Sequence, residues 1–140
     1  MASEIWRVSA SQIKTWNDCP RKWGFKYIDG LEDPPSKAAI LGSKVHAELE
    51  RYLEGGDIDE ASDAGKIAAT ALDLLPEPRE DLSVEEEVVF ELDGVTFRGF
   101  VDLIDPAGPT IFDHKTSSDP KRWGLTEETL VDDVQALMYA

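Results

Sequence analysis

"SVEEEVVFELDGVTFRGFVDLID", residues 83–105, decides the fold. Asp93-Gly94 is a strong two-residue hairpin signal. On its far side Val95, Phe97, Gly99, Val101 and Leu103 alternate with Thr96, Arg98, Phe100, Asp102 and Ile104, the period of a strand. "PAGP" (106–109) reads as a turn and "TIFDHK" (110–115) as a third strand, so an antiparallel meander is expected. Asp113 and Lys115 then share one face, since strand side chains alternate with period two. Two readings stand: an ion pair on an exposed strand end, or a metal ligand beside a lysine working on the same reaction. Asp102, eleven positions before Asp113, offers the second a partner carboxylate, but on these three residues alone the ion-pair reading stays ahead. Neighbouring strands joined by a short turn place the two carboxylates side by side, where they repel unless a cation sits between them. Hard divalent cations such as Mg²⁺ and Mn²⁺ suit oxygen ligands.

Helices are expected on either side of the meander. Ser9 and Gln12 have the spacing of a capping box ahead of "IKTWNDC". A second short helix follows, with Pro20 in its first turn and Trp23 and Tyr27 one turn apart. Leu41, Val45, Leu49 and Leu53 repeat every four residues, and Gly55-Gly56 ends that helix. His46 and Glu50 share another of its faces. A further helix is expected over 60–75, stopped by Pro76, and a last one over "LTEETLVDDVQALMYA" (125–140), with Thr126 as cap and Leu130, Val134, Leu137 and Met138 as its apolar face. The class is α+β, an antiparallel-rich central sheet flanked by helices. The length fits one domain over 1–140, and the last helix has no C-cap signal, so a further C-terminal segment is expected.

The net charge of −15 disfavours nucleic acid on average. It is unevenly spread. Residues 1–26 carry Arg7, Lys14, Arg21, Lys22 and Lys26 against Glu4 and Asp18, whereas residues 48–93 carry sixteen acids against Arg51, Lys66 and Arg79. A basic N-terminal patch therefore survives in an acidic chain. The run Glu85-Glu86-Glu87 reads as a solvated strand edge, and the tryptophans and tyrosines of the first thirty residues as core. No apolar run is long enough for a membrane, and no signal peptide is visible, so a cytoplasmic location is the default. Cys19 has no partner for an internal disulfide.

Five blocks in order give the chain a resemblance to the PD-(D/E)xK nuclease superfamily, and within it to the RecB-like branch: RecB and AddB nuclease domains, CRISPR-adaptation exonucleases and phage relatives. They are "VSASQIKTWNDCPRKWGFKYIDGL", "LGSKVHAELE" with His46, "GFVDLID" with Asp102, "IFDHKTS" with Asp113 and Lys115, and "QALMYA" with Gln135 and Tyr139. The resemblance implies a restriction-endonuclease-like core. It implies Mn²⁺ or Mg²⁺ held by His46, Asp102, Asp113 and the backbone carbonyl of His114. Lys115 would position or deprotonate the attacking water, and Gln135 and Tyr139 would hold Lys115 or the DNA strand.

Many RecB-like members also hold an iron–sulfur cluster on four cysteines. Cys19 matches the first, and one thiolate cannot hold a cluster, so none is expected on this chain and one only in a longer parent. The implied activity is DNA phosphodiester hydrolysis in recombination, repair or phage DNA processing, as an exonuclease on single-stranded or frayed ends with a helicase or recombination protein as partner. A non-catalytic acidic interaction protein on the same scaffold is the rival reading.

Overall fold

Asp93 and Gly94 turn the chain with φ of 51° and 78°, the left-handed pair that a tight hairpin needs and that glycine supplies without strain. They join strands β2 (Ser83–Leu92) and β3 (Val95–Asp105), where the hairpin signal puts them. The computed structural model describes residues 7–140; Glu4 and Trp6 lie outside them.

β3 is the centre of a four-stranded sheet and neighbours β2. Strand β4 (Thr110–Phe112) pairs antiparallel with it, Leu103 opposite Phe112. A two-residue strand, β1 (Arg7–Val8), runs parallel to it at Thr96 and Phe97. β1 is too short to show alternation, so no periodicity announces it. β4 also stops three residues earlier than the expected 110–115. The N–H of His114 donates to the carboxylate of Asp102 (2.5 Å), where a longer strand would use it in the ladder.

The chain groups into two compact units. Among the described residues, one takes 7–34 with Glu87–Gly99 and Lys121–Ala140; the other takes Pro35–Glu86 and Phe100–Pro120.

In the second unit, helix α3 (Lys37–Leu53) starts at Ser36, whose hydroxyl accepts the Ala39 N–H. The four-residue apolar spacing buries Val45, Leu49 and Leu53. Val45 and Leu49 meet Ala64 and Ala68 of helix α4 (Asp63–Ala69), with Leu72 and Leu75 packed alongside. The expected helix over 60–75 is thus shorter. Ser62 caps it late, and from Thr70 onward the bonds tighten to i→i+3, ending in a 3₁₀ turn at Leu72–Leu74 before Pro76. Val101 and Leu103 are the buried residues of β3.

In the first unit, helix α1 (Ala10–Asp18) is capped by Ser9 as expected, while the Gln12 side chain donates to the Arg7 carbonyl. Helix α2 (Pro20–Tyr27) and the C-terminal helix α7 (Val134–Tyr139) both pack on α1. The single helix expected over 125–140 is broken. α5 (Pro120–Trp123) and α6 (Glu127–Leu130) precede it, and Asp133 restarts the chain as the cap of α7, accepting from the Gln135 and Ala136 N–H groups, both at 3.0 Å. Lys14 of α1 holds that carboxylate at 3.0 Å. Thr126 does cap its helix, reciprocally with Thr129. Leu130 and Leu137, expected on a buried face, are exposed. Trp16, expected in the core, is 50% exposed.

Candidate metal centre

Asp102 sits on β3 between Val101 and Leu103. Those two are buried, so alternation turns Asp102 to the opposite face. Three groups meet it there, all within the second unit. His46 of α3 brings Nδ1 to 3.5 Å of Oδ1. The His114 N–H holds Oδ2. Glu85 of β2 completes a cluster in which the three ligand atoms of His46, Glu85 and Asp102 lie within 4.8 Å of one another. Glu85 reaches it from a backbone with φ of 51°, a conformation that a non-glycine residue holds only when its surroundings over-determine it. The three side chains line an open cavity of about 590 Å³ with Glu50 and Thr116.

The charges fit a cation site. The bond to Asp102 lifts the imidazole of His46 above its usual range, against the opposing effect of burial, and the backbone of His114 adds to the lift. Burial alone would raise Asp102, but His46 and the His114 N–H outweigh it and hold the carboxyl below the ordinary range. Burial, and then the carboxylates of Asp102 and Glu50, push Glu85 upward. Protons on His46 and Glu85 offset carboxylates crowded out of water, a part that a divalent ion can also fill. One imidazole and two carboxylates suit a divalent cation. Ligand atoms about 2.1 Å from an ion stand roughly 3 to 4 Å from one another, so the cluster needs only a small contraction.

His46 and Asp102, expected as ligands, are brought together. His114 touches both, through its N–H on Asp102 and its backbone beside the His46 ring, and the two imidazoles lie edge to face at 5.7 Å. Asp113 and Lys115, the residues on either side, form an ion pair with each other. Both line a second cavity of about 380 Å³ with Phe112, Val45 and Leu49. Gln135 and Tyr139 are on α7 of the first unit. Tyr139 lies on β3 at Gly99, where a Cβ would come within 2.8 Å of its ring and displace it. Cys19 is an exposed thiol at the joint of α1 and α2.

Sequence reasoning missed Glu85. In the acid run, Glu86 and Glu87 are exposed as expected, but Glu85 is half-buried in the cluster. Alternation within the run separates Glu86 from its neighbours, yet nothing in it distinguishes Glu85 from Glu87, which pairs with Arg98 at 2.5 Å.

The sheet presents an imidazole and two carboxylates within ligand distance of one another, and an Asp–Lys pair flanks the main-chain contact of His114 to that cluster. A family model of the PD-(D/E)XK nuclease superfamily matches residues 7–82 and 66–140, and the chain belongs to that superfamily of metal-dependent nucleases. Its four-stranded sheet with flanking helices is the restriction-endonuclease-like fold. No curated protein and no solved structure gave a match. Among the described residues no helix is long and apolar enough to cross a membrane.

Proposed function

We propose that the chain is a RecB-like exodeoxyribonuclease that hydrolyses single-stranded or frayed DNA ends with Mn²⁺, or more weakly Mg²⁺. The meeting of His46 and Asp102, from α3 and β3, carries the reading, with the Asp113–Lys115 pair next to the His114 contact. His46, Glu85 and Asp102 would hold the ion, and Asp113 and the His114 carbonyl, the ligands that the family resemblance implies, would add to them. When bound, the ion lowers the pKa of water and offsets charge on the phosphoryl oxygens.

The rest falls to the protein. His114 fixes the rotamer of Asp102 through its N–H. Lys115 gives up its partner Asp113 to orient the attacking water and to offset charge developing on the phosphate. Gln135 and Tyr139, one helical turn apart, grip the DNA strand. The likeness of the five motif blocks to RecB-like nucleases supports placing this activity beside a helicase or recombination protein.

The test is cleavage of end-labelled single-stranded DNA with Mn²⁺, comparing wild type with Lys115→Ala. A loss of about 10²-fold or more, with Mn²⁺ binding retained, is expected. Equal cleavage by both proteins refutes the role of Lys115. Metal binding without any cleavage by wild type, together with a stoichiometric protein complex, favours a non-catalytic interaction protein.

A further inference from the structure

The first unit has a surface that the hydrolytic site does not use. Trp16 of α1 is 50% exposed and Phe25 of α2 is 44% exposed. Trp16 is braced on the inner side of α2, whereas Phe25 stands about 200° round the helix from Trp23 on the outer side. Trp16 meets Trp23 edge to face at 5.2 Å, and Trp23 meets Tyr27 at 6.0 Å. The guanidinium of Arg21 lies 5.5 Å from the Phe25 ring centre, and the Lys26 ammonium 5.2 Å from that of Tyr27. Lys22 and Lys26 stand one turn apart on the neighbouring stripe, about 6 Å along the axis. Asp18 is the one acid within α1 and α2, and Asp29 follows just beyond. In a chain of net charge −15 this is a local reversal of sign.

An exposed aromatic ring set among cations is what a single nucleic-acid strand binds. Its bases stack on π faces and its phosphates follow the cations, without a need for sequence. A duplex hides its base faces and uses such a surface poorly. We infer that the outer face of α2, built on Arg21, Lys22, Phe25 and Lys26, docks single-stranded DNA. The inference rests on the nuclease reading for its choice of ligand, and it concerns binding rather than hydrolysis.

The experiment uses the full chain and a labelled thymidine homopolymer of about 16 nucleotides, read by fluorescence anisotropy in EDTA so that no cleavage intervenes. Lys22→Glu/Lys26→Glu is expected to weaken binding at least tenfold. It also flattens the salt dependence by about 0.7 in log K per log salt for each phosphate that is no longer neutralised. Phe25→Ala is expected to weaken binding about tenfold with the salt slope unchanged, because it removes stacking and no charge. All three side chains are exposed, and circular dichroism verifies that the variants fold.

Wild-type affinity in both variants, no binding of the homopolymer by wild type, or binding of duplex alone overturns the inference. Manganese-dependent cleavage by wild type, alongside unaltered binding in the variants, sinks this surface and leaves the nuclease intact. Binding that depends on these residues in a protein that cleaves nothing sinks the nuclease reading and leaves the surface.

Discussion

The main-chain N–H of His114 donates to Oδ2 of Asp102, twelve residues earlier, at 2.5 Å. That bond ends β4 and fixes a carboxylate that also faces His46. Asp102→Asn keeps an acceptor for the N–H and loses the charge; Asp102→Ala loses both. Each is expected to lower Mn²⁺ affinity, read by titration calorimetry, beyond the about 10–100-fold typical of losing an outer partner. In urea unfolding the alanine variant is expected to be less stable than the asparagine variant by about 1–3 kcal/mol, the usual effect of leaving a part-buried N–H unpaired. Equal stabilities would show that the bond is idle.

Glu85 sits beside Asp102 and Glu50 with its carboxyl raised, first by burial and then by those two charges. A raised carboxyl destabilises the fold once ionised: the penalty is absent below the unfolded value and grows as pH rises through that value and on to the raised one. Glu85→Gln removes it. In EDTA at neutral pH the variant is expected to melt at the wild-type temperature or above, while the upward shift on adding Mn²⁺ shrinks. A variant that melts lower in EDTA and gains the full shift with Mn²⁺ would exclude Glu85 from the ligand set.

Leu49 is 2% exposed and packs against α4 through Ala64 and Ala68. His46 is one turn before it on the same helix. Leu49→Ala is expected to destabilise by about 2–5 kcal/mol in urea unfolding. Metal affinity at low urea should fall only modestly, because the ligands themselves remain. Native-like stability would mean that the α3–α4 contact is not the core of this unit.

Asp133 caps α7 and pairs with Lys14. Burial works to raise its carboxyl, but the N–H of Ala136 and the Lys14 ammonium outweigh it and hold it below the usual range. Its contribution is therefore present above the unfolded pKa and is lost as pH falls through the depressed value. Asp133→Ala is expected to cost about 1–2 kcal/mol for the cap and well under 1 kcal/mol for the half-exposed pair. The gap between wild type and variant, followed by thermal melts, should close toward acid pH. A gap constant with pH would assign the effect to something other than the carboxylate.

Short-range spacing determined much of this protein. The four-residue repeat of α3 buries Val45, Leu49 and Leu53, Asp93-Gly94 makes the hairpin, and Ser9 and Thr126 cap their helices. Each depends on neighbours within about one turn, so local sequence holds the whole physical cause. His46 and Asp102 were legible as members of ordered motifs, not through any spacing between them.

The tertiary structure decided the rest, because the deciding partner is distant along the chain. Lys14 holds Asp133 across 119 positions, at the point where an expected helix is broken. Asp102 takes the His114 N–H and shortens β4. Glu85 joins His46 and Asp102, and Trp16 stays at the surface, because of what the folded chain sets against each of them. Propensity and period describe a residue's own turn or strand; they carry no information about which remote group competes for its hydrogen bond, charge or burial.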